Sequence, residues 1–74
     1  MDAATHTGDL IGREVVLATL PTQAGQPVVG THGFVTSVAT RAVPNPIQVT
    51  FEDADRTVRY YSNWQFAAFF SVLG

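Results

Sequence analysis

From Ile47 to Glu52 apolar and polar residues alternate without a fault, with Ile47, Val49 and Phe51 on one side and Gln48, Thr50 and Glu52 on the other. Side chains of a strand point to opposite faces in turn, so this run reads as a strand with one buried face. Two more runs rich in β-branched and aromatic residues flank it, Gly33 to Ala39 and Thr57 to Tyr61. Asn45, between Pro44 and Pro46, separates the first two runs. Each proline fixes its own φ and keeps the preceding residue extended, which makes an elbow. Asp53, Ala54 and Asp55 supply a hairpin turn before the third run. Short strands punctuated in this way form an antiparallel meander, here spanning Gly30 to Tyr61.

Upstream, Arg13 to Leu20 predicts a further strand, with Val15, Leu17 and Thr19 on one face and Val16, Ala18 and Leu20 on the other. Apolar weight on both faces leaves it little solvent face. Pro21 to Gly30 reads as a loop, and a loop of this length in a small domain more often carries function. Residues 1–9 are small, polar and without a period, and are expected to form a loose tail ahead of a single domain, 10–74. Downstream, Ser62-Asn63-Trp64-Gln65 fits the S-x-x-Q capping pattern and should start a helical turn. Phe66, Phe69, Phe70 and Leu73 have helical spacing, whereas Ala68, Phe70 and Val72 alternate as a strand. The expectation is one short helical turn and then a closing strand, in an all-β domain of five strands.

The chain has 74 residues, near the small end of what folds unaided, and 46% of them are hydrophobic, enough for a core. It has no cysteine, so neither disulfides nor thiolate metal sites can staple it. A core this small favours added stability from a partner protein or from a homodimer. The net charge is −2, and the four basic residues, Arg13, Arg41, Arg56 and Arg59, are scattered. Phosphate backbones call for a basic stripe, so nucleic acid is disfavoured as a partner. No apolar run reaches the ~18–20 residues of a membrane span. No basic-then-apolar leader opens the chain, so a cytoplasmic location is expected.

Five short strands, a long first loop, a tight later hairpin and a helical turn before the last strand resemble an SH3-like barrel over roughly Gly12 to Leu73. Ser62-Asn63-Trp64 is similar to the Ser-Asn-Tyr turn before the last strand of SH3 domains, while their Ala-Leu-Tyr-Asp-Tyr segment is missing. Gly33-Phe34-Val35-Thr36-Ser37-Val38, then Pro46-Ile47-Gln48-Val49-Thr50-Phe51, then Phe66-Ala67, resembles the small stromal subunit of photosystem I. The variable chain of ferredoxin–thioredoxin reductase belongs to the same group of barrels. The same rhythm looks like small barrel proteins encoded by phages and mobile elements. These resemblances imply an accessory that docks on a larger protein complex, or occludes a host enzyme or defence system, without chemistry of its own. Plasmid-borne dihydrofolate reductases are also small barrels, with a Val-Gln-Ile-Tyr active segment. Val58 and Tyr61 match it, but the Gln is Arg59 here and the Ile is Tyr60. KOW- and Tudor-like barrels supply the nucleic-acid alternative.

His6 and His32 are the only imidazoles, and a metal site needs several ligands converging. Glu52, Asp53 and Asp55 lack the alternating oxygens and distant closing Glu of a calcium loop. No nucleophile elbow or phosphate-cradling glycine motif occurs. The chain is therefore expected to be no enzyme and to hold no metal or cofactor. Tyr60, Tyr61, Trp64, Phe66, Phe69 and Phe70 crowd together late in the chain, and a small barrel absorbs only part of them. The expected partner-binding surface combines the first loop with this aromatic turn: Gln23, Gln26, Arg59, Tyr61, Trp64 and Phe69. Aromatic anchors with an arginine at the rim are what protein interfaces use. Stacking on single-stranded nucleic acid is the competing use.

Overall fold

The computed structural model describes residues 10–19 and 27–73. The expected tail, 1–9, and most of the first loop lie outside the described residues. The described chain forms β1 (Glu14–Leu17), β2 (His32–Val38), β3 (Ile47–Phe51), β4 (Val58–Tyr61), α1 (Asn63–Phe69) and β5 (Phe70–Val72). All five strands join one antiparallel sheet in the order β4-β3-β2-β1-β5. The meander is present as expected, and β1 lies between β2 and β5.

The first strand is shorter than the expected Arg13 to Leu20, because the chain leaves the ladder after Leu17. The Ala18 and Thr19 N–H groups both donate to the Phe69 carbonyl, at 2.7 and 3.1 Å. Thr19, expected to continue the strand on the same face as Val15 and Leu17, is exposed outside it. In β2 the register with β3 shifts between Val35 and Ser37, a bulge that takes Thr36 out of the pairing. Gly33, earlier in β2, sits so close to β3 that a Cβ there would lie 2.9 Å from the Thr50 carbonyl oxygen. A side chain is excluded by backbone, which does not yield easily.

The turns are held by specific bonds. The Ala39 N–H donates to the Pro46 carbonyl at 2.9 Å and closes the proline elbow. In the β3–β4 turn the Asp53 carboxylate accepts from the Thr57 N–H at 2.8 Å and from the Thr57 hydroxyl at 2.6 Å. The Thr57 hydroxyl, with the Thr57 N–H behind it, holds the Asp53 carboxyl below its ordinary range. Arg56 completes the turn in the left-handed region, at φ 51°.

The core holds Val15, Leu17, Val35, Ile47, Val49, Phe51, Tyr61, Phe66 and Phe70. Ile47, Val49 and Phe51 point inward, as the alternation requires. β4 and β5 lie at opposite edges of the sheet. If it were flat, four spacings of about 4.8 Å would separate those edges. Yet the Tyr61 ring on β4 and the Phe70 ring on β5 have centroids 5.0 Å apart, and Phe51 on β3 stacks obliquely 5.8 Å from Phe70. The sheet therefore curls until side chains from both of its edge strands share one core, a small all-β barrel-like fold with a short helix before the last strand.

Candidate functional site

The late aromatic segment is organised by α1, and the helix starts where Ser62 can cap it. The Ser62 hydroxyl accepts from the Gln65 N–H at 3.2 Å, and the Gln65 side chain accepts from the Ser62 N–H at 3.0 Å. This reciprocal box satisfies two donors that a helix end leaves open. At the other end the Phe70 N–H donates to the Phe66 carbonyl while Phe70 itself is extended, so helix passes directly into strand. Phe66 is buried and stacks on Phe70 at 5.3 Å.

Between cap and strand, α1 sorts the other aromatics by depth. Tyr61, expected on the partner-binding surface, is only 3% exposed and belongs to the core. The reason is its register: it faces Ile47, whose side chain points inward. Burial pushes its phenol up to about 12, against the opposing pull of the Arg59 charge. Phe69 is partly buried, with its ring edge-on to Tyr61 at 6.3 Å. Trp64, on the outer side of α1, is 68% exposed and meets Phe69 edge-on at 6.3 Å. Rings thus touch in sequence from Phe51 through Phe70, Tyr61 and Phe69 to Trp64. The indole stands on the surface, braced from the core.

Arg59 faces Val49 across the β3–β4 ladder and shares the core side of the sheet, half-buried, with its Nε screened from solvent. The structure therefore brings together Tyr61, Phe69 and Trp64, while Arg59 lies on the core side of β4 within electrostatic reach of Tyr61. Gln23 and Gln26 lie outside the described residues.

The outer face carries apolar residues that the expected partner-binding surface did not include. Val58 faces Thr50 and Tyr60 faces Gln48, and both are exposed, as is Phe34 on β2. The sequence held a signal for them, since the clean β3 alternation already turns Gln48 and Thr50 outward and the hairpin sets their partners. Phe34 also lines a shallow open recess with Glu52, Asp53 and Arg56. His32, at the start of β2, lies on the surface 2.9 Å from the Glu14 carboxylate. Among the described residues no three histidine or acidic side chains gather as a metal site would require. No helix among them is long and apolar enough to cross a membrane.

No protein-family model matches the chain, and comparison with curated proteins and with solved structures finds no match. The function is therefore argued from the surface itself.

Proposed function

We propose that the chain is a non-catalytic docking module that binds a larger protein assembly, with Trp64 as its principal anchor. The observation that carries this reading is the braced exposure of Trp64: the chain's only tryptophan is 68% exposed while Phe69 and Tyr61 fix it from behind. Large aromatic residues held rigid on a surface contribute most of the energy of protein interfaces, because little conformational freedom is lost when they are covered. The small-barrel resemblances drawn from the sequence imply an accessory that docks on or occludes a complex, and this reading follows them.

The test uses the tagged protein and its Trp64→Ala variant against host lysate, with nuclease, alongside thermal melts. The expected outcome is a stoichiometric protein recovered by the wild type and lost by a variant that melts normally. Truncating an anchor of this kind weakens binding by about 2 kcal/mol or more, roughly 30-fold. Loss of recovery on nuclease treatment, or affinity that falls steeply with salt, would instead favour nucleic acid.

A further inference from the structure

All charged residues and both histidines lie outside two stretches, residues 15–31 and 60–74, the two longest of the chain with neither. The fold brings described parts of these stretches side by side. The Ala18 and Thr19 N–H groups donate to the Phe69 carbonyl, and on the other flank of β1 the Gly30 N–H donates to the Leu17 carbonyl at 2.8 Å. Gly30 belongs to a turn in which the Thr31 N–H and hydroxyl both donate to the Val28 carbonyl, at 3.1 and 2.7 Å. Two strand spacings, about 10 Å, therefore separate this turn from Phe69. Val28 and Val29 stand out from it, 73% and 49% exposed, and Trp64 stands beyond Phe69. Ala18 and Thr19, at the junction, are exposed as well. The charged β3–β4 turn lies on the far side of β2, where the Glu52 N–H donates to the His32 carbonyl at 2.8 Å. The described residues thus form one uncharged patch with an aromatic end and an aliphatic end.

We propose that this patch pairs two copies of the chain about a two-fold axis near Ala18 and Phe69, with Trp64 of each copy against the Val28–Val29 turn of the other. The proposal rests on the reading of Trp64 as the docking anchor and adds its regulation. The homodimer covers the indole, and docking on another protein draws on the monomer.

Charge selects the occupant. A two-fold contact sets a surface against itself, so a charged patch repels its own copy, whereas this one has no charge to repel. Complementary charge, the usual means of discriminating among other proteins, is missing across the patch, as are the cations that nucleic acid requires. Another protein needs only Trp64 as its anchor, whereas self-pairing needs an uncharged surface of this breadth. The register follows from the two ends, because a two-fold axis joins each end of a patch to the opposite end of its copy. Size agrees: α1 has seven residues and is about 10 Å long, too short by itself for the ~800 Å² a side of a stable interface. Contact therefore has to cross the β1–β5 seam and reach the valine turn.

The experiment follows the full chain through a dilution series at low and high salt, by sedimentation equilibrium and by the emission of Trp64, the chain's only tryptophan. The expected result is a dimer mass that falls to the monomer's on dilution, with the indole emission moving to the red in step and neither responding to salt. Val28→Asp and Trp64→Lys replace exposed residues, so both variants should keep the wild-type melt while the dimer weakens at least about ten-fold in each. Mixed in equal amounts, the two variants should restore it, because the new lysine then meets the new aspartate while the native Trp64 and Val28 meet in the other half. A monomer at every concentration, a dimer that weakens with salt, a dimer that both variants keep, or a mixture that stays monomeric would each overturn the proposal. If the chain is monomeric while Trp64→Ala still loses its lysate partner, self-pairing fails and the docking module stands. If the dimer behaves as expected and no lysate protein depends on Trp64, the pairing stands and the docking reading falls.

Discussion

At Gly33 a missing side chain does structural work. Its place in β2 leaves 2.9 Å between an added Cβ and the Thr50 carbonyl oxygen, 3.2 Å to the Phe51 Cα and 3.2 Å to a Val49 methyl. Two of these three atoms are backbone of the central hairpin, so Gly33→Ala must push β2 and β3 apart. Overpacking of this kind costs about 1–3 kcal/mol, and urea unfolding of the variant should show a lowered midpoint with an unchanged slope. Tyr61 makes a second prediction at this scale. Its phenol is held up to about 12 by burial, whereas an unfolded tyrosine titrates near 10. Above pH ~10 the unfolded chain gives up its proton first, so the stabilisation is complete below that pH and is lost as pH rises through 12. Melts between pH 8 and 12 should fall more steeply for the wild type than for Tyr61→Phe. Inward residues were legible where alternation was clean, at Ile47, Val49 and Phe51. Tyr60 and Tyr61 were not, because adjacent aromatics on a short strand are sorted only by their partners on β3, and Tyr61 drew Ile47.

The element most clearly written in the sequence is the start of α1. Ser62 and Gln65 form both halves of the capping box, and the helix begins at the residue after Ser62. Ser62→Ala removes the hydroxyl that receives the Gln65 N–H and should cost about 1 kcal/mol, read from the thermal midpoint by circular dichroism. Its effect belongs to the helix, so the β3–β4 amides should keep their exchange protection relative to global stability. The helix end was less legible. Helical and strand periodicities overlap at Phe70, and β5 is only three residues long. What decides between them is tertiary: the Phe69 carbonyl accepts from Ala18 and Thr19, and the Leu73 N–H donates to Glu14. These bonds to β1 and its extension straighten the chain after Phe69, and nothing local in Phe66 to Leu73 encodes them. The division of labour along α1 follows, with Phe66 facing the core and Trp64 facing out.

For the molecule as a whole, the five-strand class follows from the punctuation of the meander, while closure depends on contacts between its ends. The candidate surface divides in the same way. Crowding pointed to the aromatic segment, but only the folded barrel separates Trp64 from Tyr61 and sets Val58 and Tyr60 on an open edge. Closure also fixes an order of events. β1 and β5 pair Val15 with Val72, close to opposite ends of the described chain, whereas β2, β3 and β4 join through neighbouring turns. Drawing distant segments together costs more chain entropy than forming a hairpin, so non-local pairings are slow to nucleate. The meander is therefore expected to form first and the β1–β5 seam last, an order that φ-values at Val49 and Val72 would read. Interactions absent from the folding transition state act on the unfolding rate alone, which makes this seam the clasp that sets how long a folded molecule lasts.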